Sequence, residues 1–179
     1  MKRLIAASLA AGLLAAPAAH AGLAVGAAAP DFTAQGALGG KPLTFTLSAA
    51  LKKGPVVLYF FPAAFTSGCT IEAHEFSDAA ADFTKLGATL IGITAGNVGR
   101  VAEFSVKECR SKFAVAADPG AKIAKTYSST MPLMGMSDRT SYVITPDDKV
   151  ALSYSAMAPD QHVAKTMAAV KAWRAAHPM

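Results

Sequence analysis

The segment VVLYFFPAAFTSGCTIEAHEF, residues 56–76, contains the change of pattern that decides the fold. Its first six residues are apolar and rich in β-forming types, which predicts a strand covered on both faces. Pro62 then ends the predicted strand. From Thr66 the apolar residues recur at helical spacing, and the acidic residues, Glu72 among them, fall largely outside that apolar face. The segment therefore predicts a buried strand followed directly by an amphipathic helix.

The rest of the chain continues this alternation of strands and helices. A helix is predicted to open at Asn97, with Val98, Val101, Ala102, Ser105, Val106 and Cys109 on one face. Strands are predicted at residues 43–47, 89–94, 114–116, 140–144 and 150–154, and further helices after Ser48, up to Tyr127 and over residues 161–176. Residues 128–138 are predicted to form a loop. This order predicts an α/β fold with a central mixed β-sheet flanked by helices.

Residues 1–21, MKRLIAASLAAGLLAAPAAHA, have the layout of a secretory signal peptide. A basic start is followed by a short apolar run and by a small-residue cleavage site, Ala19-His20-Ala21. The apolar run is too short to span a membrane comfortably, and no cysteine follows it to carry a lipid. We therefore expect an exported, periplasmic protein without a membrane anchor, whose mature part, residues 22–179, is a single domain.

Charge and cysteine content narrow the possible functions. The formal net charge of +5 includes Lys2 and Arg3, and the remaining basic residues are scattered along the chain. This distribution is typical of a solvated surface and does not predict nucleic-acid binding. The chain has two cysteines, Cys69 and Cys109. In an oxidising compartment an even cysteine count favours a disulfide, which could be structural or catalytic.

The surroundings of Cys69 indicate thiol chemistry. It lies in the first turn of the predicted helix, where free backbone N–H groups favour an anion, and the thiolate is the nucleophilic form of cysteine. The residue three positions earlier is Thr66, so the C-x-x-C pattern of disulfide exchangers is absent. The Thr66 hydroxyl could bond to the thiolate or to a substrate oxygen, and Pro62 could shield the site from water.

These residues form the pattern P-x-x-x-T-x-x-C, from Pro62 to Cys69, which resembles the active-site motif of peroxiredoxins. The longer run around it resembles the bacterioferritin-comigratory, or Q-type, branch. Three further segments match in order: APDF (residues 29–32), VAADPG (residues 115–120) and RTSYVI (residues 139–144). The resemblance covers nearly the whole mature chain.

The resemblance implies a thioredoxin-like fold and a thiol peroxidase that needs neither cofactor nor metal. Cys69 would be the peroxidatic cysteine, attacking hydrogen peroxide or an organic hydroperoxide to give a sulfenic acid. Thr66 would orient the peroxide, and Arg139 would stabilise the thiolate and the leaving oxygen. An external dithiol, thioredoxin-like or a periplasmic relay, would reduce the product, and we expect a monomer or a weak dimer.

The motif does not by itself identify the residue that resolves the sulfenic acid. Many Q-type members carry a second cysteine five residues after the first, where this chain has His74, to which we assign no role. Cys109 matches the position used by other members of the branch. Its apolar neighbours also fit a small buried hydrophobe, whereas the flanking Glu108 and Arg110 indicate a wet helix end. Resolution by Cys109 is favoured, and it requires local unwinding around Cys69.

The sequence also allows two other interpretations. The methionines at 131, 134 and 136 could bind Cu(I), but a soft hydrophobic loop near the active-site mouth is the simpler interpretation. The alternative function is an exported thioredoxin-fold module for binding or redox partnership, with a structural Cys69–Cys109 bridge. Rapid consumption of one equivalent of peroxide would distinguish the enzyme from that module.

Overall fold

The part of the chain that the structure describes, residues 22–178 of a computed structural model, is organised around one seven-stranded sheet. The predicted signal peptide lies outside these residues, so export stays a prediction. The strands are β1 (Thr33–Leu38), β2 (Lys41–Thr46), β3 (Val56–Ala63), β4 (Thr89–Gly96), β5 (Ala114–Ala117), β6 (Thr140–Ile144) and β7 (Val150–Ser155). The helices are α1 (Leu47–Leu51), α2 (Ser67–Lys85), α3 (Val101–Lys107), α4 (Lys122–Thr126) and α5 (His162–Ala176), and a 3-10 turn, Val98–Arg100, precedes α3.

The sheet is mixed, and its order is β2-β1-β5-β4-β3-β6-β7. The three central strands β3, β4 and β5 are parallel, whereas β1 and β6 pair with their neighbours in the antiparallel sense. Parallel neighbours require crossover connections, which α2 and α3 supply here. This architecture confirms the predicted α/β class, with a central mixed sheet flanked by helices.

Strand β3 separates two apolar layers because its side chains alternate between the two faces of the sheet. Leu58 and Phe60 face a cluster that includes Leu47 of α1 and Ala124 of α4. Residues 57, 59 and 61 face the second cluster, which contains both cysteines and side chains of α2, α3 and α5. The predicted two-sided burial of this strand is confirmed, since all eight of its residues are buried.

The sequence reading missed β1, whose sequence is TAQGAL. It has few residues with high strand propensity, and its position depends on pairing with β2 and β5. A Cβ on Gly36 would lie 2.3 Å from the Val115 carbonyl oxygen, so a glycine is needed for that close approach. The backbone N–H of Ser48 donates to Asp31 of the APDF segment, and the first helix begins at Leu47.

The helix predicted from Asn97 begins later than expected, and its buried face agrees with the prediction only in part, since Val101 and Ser105 are buried as predicted. Asn97 adopts a left-handed conformation with φ 54°, and only a 3-10 turn follows it before α3 begins at Val101. Phe104 is fully buried on α3 while Val106 is 46% exposed, so the face that packs on the sheet is rotated from the predicted one. Cys109 lies in the turn beyond the helix. None of the helices in residues 22–178 is both long and apolar enough to cross a membrane.

Candidate active site

The loop between β3 and α2 brings the motif together at one end of the sheet. Strand β3 continues through Pro62 to Ala63, two residues beyond the predicted end at Phe61, so the prediction that Pro62 ends the strand is wrong. The missing N–H is tolerated because β6 pairs with β3 only as far as Phe60. Phe65 then adopts a left-handed conformation with φ 66°, which is uncommon for a residue with a side chain. This sharp turn delivers Thr66 to the position directly before α2.

Cys69 lies in the first turn of α2 and is 1% exposed. The Arg139 Nη2 donates to its sulfur at 3.5 Å. The backbone N–H groups of a first helical turn lack intrahelical partners and add positive potential at the same place. A buried thiol between a guanidinium and a helix N-terminus is in a position to react as a thiolate.

Arg139 is held by three bonds that fix the plane of its guanidinium. Besides the cysteine sulfur, Nε donates to the Met157 carbonyl oxygen at 2.9 Å, and Nη1 donates to Oε2 of Glu72. Burial lowers the pKa of Arg139, but Glu72 and Cys69 outweigh this effect and the net pKa is raised. A Cβ on Gly68 would lie 3.0 Å from Nη2, so the glycine of the motif leaves room for the arginine beside the thiol.

Behind the arginine lies a buried polar pair, Glu72 and His162. Glu72 is fully buried, and burial outweighs Arg139 to raise its pKa to about 8. His162 is also fully buried; its Nδ1 lies 2.8 Å from the Ser141 hydroxyl oxygen and 3.6 Å from Oε1 of Glu72. Burial lowers the pKa of His162 to about 4. The pair links α2 and α5 to the arginine directly before β6.

Thr66 and Pro62, the other two residues of the motif, differ in their exposure to solvent. Thr66 is exposed, and its hydroxyl donates to the Ala63 carbonyl at 3.1 Å. Its oxygen lone pairs therefore remain able to accept a hydrogen bond from a bound molecule. Pro62 is buried, and its carbonyl accepts from the Thr94 hydroxyl. Both residues belong to the segment that leads to Cys69.

Cys109 follows α3 and lies beside a later part of α2, away from Cys69 and Arg139. It is fully buried, and burial together with Glu108 raises the pKa of its thiol. Both cysteines are free thiols in this structure. We call residues 108–112 the Cys109 segment. Four hydrogen bonds attach it to α2: Glu108 to His74, the Glu108 carbonyl to Ser77, Arg110 to Asp78 and Lys112 to the Ser77 carbonyl.

The methionine loop stands apart from any ligand-like cluster. Its ends are joined by a bridge between Thr130 and Ser137, and the Ser137 hydroxyl donates to the Phe61 carbonyl at 2.7 Å. The loop is therefore anchored to the end of β3 that precedes the motif, while Met134 is 62% exposed. Across residues 22–178, no three His, Cys, Asp or Glu side chains are grouped so that they could hold a metal ion.

The sequence reading missed two site residues, Glu72 and His162. Glu72 was placed with the solvated acidic residues, although it lies one helical turn after Cys69 and one turn before Phe76, on the buried face. That spacing was the available signal. His162 gives no such signal, because its partners, Ser141 and Ala156, are distant from α2 in sequence. His74, assigned no role, bonds to Glu108 at 2.8 Å.

A sheet of this topology, with a buried thiol and an arginine at the start of the helix after its central strand, defines a thiol-dependent oxidoreductase of the thioredoxin-like class. The model of the AhpC/TSA family matches residues 25–153. The chain belongs to the AhpC/TSA family.

Relatives and solved structures agree with this assignment. A Mycobacterium tuberculosis protein whose name places it among the peroxiredoxins is 36% identical over 132 residues, covering 72% of this chain and 85% of the relative. Peroxiredoxin Q of Oryza sativa subsp. japonica, a chloroplast protein, is 34% identical over 145 residues, covering 79% of this chain and 64% of the relative. The crystal structure of peroxidoxin BcpB from Mycobacterium tuberculosis aligns with a TM-score of 0.74 and 32% identity, covering 83% of this chain and 96% of that one.

The family assignment makes this protein a thiol-dependent peroxidase, an oxidoreductase. The expected thioredoxin-like fold is confirmed by the likeness to the BcpB structure.

Proposed function

We propose that Cys69 is the peroxidatic cysteine of a Q-type peroxiredoxin that reduces hydrogen peroxide or organic hydroperoxides. The observation that carries this proposal is the 3.5 Å contact between Arg139 and the sulfur of Cys69, which is nearly fully buried in the first turn of α2. The thiolate attacks one peroxide oxygen, a sulfur–oxygen bond forms and the O–O bond breaks. The other oxygen leaves as hydroxide or alkoxide and takes up a proton, and Cys69 becomes a sulfenic acid.

Arg139 and Thr66 act on the two oxygens of the substrate. The guanidinium, fixed by its bonds to Met157 and Glu72, stabilises the thiolate and then the charge that develops on the leaving oxygen. Thr66 accepts the hydrogen of the hydroperoxide and holds its O–O axis in line with the sulfur. Pro62 contributes a wall without an N–H group and limits the access of water to the site.

Cys109 then resolves the sulfenic acid: its sulfur bonds to that of Cys69, and the sulfenic oxygen leaves as water. The Cys109 segment bonds to α2 at residues 74–78, which lie roughly 8–14 Å along the helix from Cys69. A disulfide needs the two Cα atoms within about 7 Å. The first turns of α2 and the Cys109 segment must therefore open before the bond forms.

Strain in the Cys109 segment favours this opening. Arg110 and Ser111, directly after the cysteine, adopt left-handed conformations with φ 49° and 58°. Such conformations cost roughly 1 kcal/mol or more each for residues with a side chain. The four hydrogen bonds to α2 offset that cost in the closed form. Breaking them releases the strain, so a modest free energy separates the closed and open segments.

The reductant that completes the cycle is an external dithiol. If the signal peptide exports the protein, as its first 21 residues predict, the donor is a thioredoxin-like or relay protein of the periplasm. We propose that the enzyme acts there as a monomer or a weak dimer. Reduction of the disulfide by that donor restores two thiols and lets α2 rewind around Cys69.

Single-turnover consumption of peroxide tests these assignments. The reduced protein should rapidly consume one equivalent of hydrogen peroxide, and C69S should abolish this while C109S keeps the first turnover. Peptide mapping without reductant should then recover a Cys69–Cys109 peptide from the wild-type protein. Slow oxidation in all variants would favour the binding module, and a missing disulfide peptide would refute resolution by Cys109.

A further inference from the structure

One oxygen of Glu72 has no hydrogen-bond partner among the described residues, although it is buried. This atom is Oε1, and the ring nitrogen Nδ1 of His162 lies 3.6 Å from it. The other oxygen, Oε2, accepts from Arg139. A buried carboxylate oxygen without a donor is costly, because its charge is removed from water without compensation. A protonated Glu72 carboxyl carries no charge at this buried position and avoids most of this cost.

The bonds of His162 decide which of its nitrogens accepts. Nε2 lies 3.0 Å from the Ala156 carbonyl oxygen, which can only accept, so Nε2 carries the hydrogen. In the neutral ring Nδ1 is then the acceptor, and the Ser141 hydroxyl donates to it at 2.8 Å. The neutral ring therefore has no N–H group to donate to Oε1, and it does not stabilise an ionised Glu72 carboxylate.

The buried cluster contains one firmly cationic side chain, Arg139, beside two acids, Cys69 and Glu72. If Glu72 ionises, two anions compete for one guanidinium. We propose that His162 is a positioning residue of the peroxidase: its neutral ring offers no N–H group to Oε1 and so keeps Glu72 protonated, which leaves the charge of Arg139 to the Cys69 thiolate. This proposal rests on the function proposed above for Cys69.

The other groups that face the pair do not all act in one direction. Glu75, on α2, raises the pKa of Glu72 further, and Asp160, before α5, raises the pKa of Glu75 and of His162, but burial outweighs it and lowers the pKa of His162 to about 4. Tyr59, on β3, stays neutral because burial raises the pKa of its phenol well above the ordinary value. Arg139 is therefore the main group in the cluster that favours ionised Glu72, and His162 opposes it.

The test is the pH profile of Cys69 alkylation by iodoacetamide, measured between pH 4 and 9 in a C109S background so that one thiol reacts. H162N removes the acceptor and supplies an amide that can donate to Oε1. We expect its profile to move to higher pH by about half a unit to one unit, as an added nearby anion does. E72Q, which imitates the protonated acid, should overlay the wild-type profile up to neutral pH. Adding the H162N substitution to the E72Q protein should then leave its alkylation profile unchanged. H177N replaces an exposed histidine of the same chain and serves as the control.

Each outcome decides the question. A folded H162N protein whose profile overlays the wild type overturns the proposal, and so does an equal shift in the E72Q background, which would indicate a merely structural role. If H162N does not fold, E72Q decides alone, because a shift of its profile to lower pH would mean that Glu72 is ionised in the native protein. Failure of the proposed function is separate, since C69S would then still consume peroxide.

Discussion

Removal of the Arg139 guanidinium is the perturbation with the largest expected effect on the peroxide step. At 3.5 Å from the sulfur, one unit charge acting on another is worth about 5 kcal/mol at an effective dielectric constant of about 20. Solvation lost by both groups reduces this, and a hydrogen bond to a charged group contributes about 1.5–3 kcal/mol net. R139Q should therefore lower the second-order rate constant for peroxide by about 10²–10³-fold, the usual loss when one transition-state donor is removed.

The assay is stopped-flow measurement of peroxide consumption by reduced protein at neutral pH, before any reductant turns the enzyme over. K85Q is the control, since Lys85 is an exposed cation paired with Asp82 near the far end of α2 and its removal should leave the rate unchanged. Circular dichroism verifies that R139Q is folded. A folded R139Q protein with a rate within about threefold of wild type would refute the electrostatic reasoning, because less than 1 kcal/mol would then separate the two.

Three further results are expected. T66V should slow the peroxide step by about 10–100-fold, whereas T66S should keep most of it, because only the hydroxyl can accept from the peroxide. Glu72 holds its proton up to about pH 8 in the folded protein and loses it near pH 4.5 when unfolded, so its contribution to stability falls as the pH rises between these values. The free energy of unfolding of the wild type, measured with urea, should fall by about 1.4 kcal/mol per pH unit relative to that of E72Q across this range. H74A removes the bond to Glu108 and should speed formation of the Cys69–Cys109 disulfide about 2–10-fold. The rate is measured from the appearance of the disulfide-bonded protein after addition of peroxide, by non-reducing gel electrophoresis or mass spectrometry.

Controls and contrary results for these three are direct. Equal rates for T66V and T66S would remove the role of the hydroxyl. A wild-type protein whose stability relative to E72Q is constant from pH 5 to 8 would show that the carboxyl is not held protonated. D82A breaks an exposed pair with Lys85 elsewhere on α2 and should leave disulfide formation unchanged, so an equal acceleration would mean that H74A acts through helix stability alone.

The sequence was informative where local pattern and position coincide. The apolar run before Pro62 and the helical spacing after Thr66 predict β3 and α2, and the motif places Cys69 at the start of that helix. Arg139 lies 70 residues from Cys69 in sequence, and only the resemblance to a family indicated that the two belong to one site. The structure brings them together because β6 pairs with β3.

The features that were missed depend on distant partners. An acidic residue in a helix is ordinarily solvated, and Glu72 is buried because Arg139, 67 residues away, bonds to it. His162 is buried for a similar reason, through Ser141 and Ala156. The break before α3 follows from one left-handed residue, Asn97, which a search for apolar spacing does not detect.

Trapping of the oxidised thiol tests the central claim most directly. The C109S protein, treated with one equivalent of hydrogen peroxide and then with dimedone, should carry one adduct, and peptide mass spectrometry should locate it at Cys69. This adduct should form within the rapid phase of peroxide consumption. Rapid consumption of peroxide without an adduct at Cys69, or with an oxidised residue elsewhere, would contradict it.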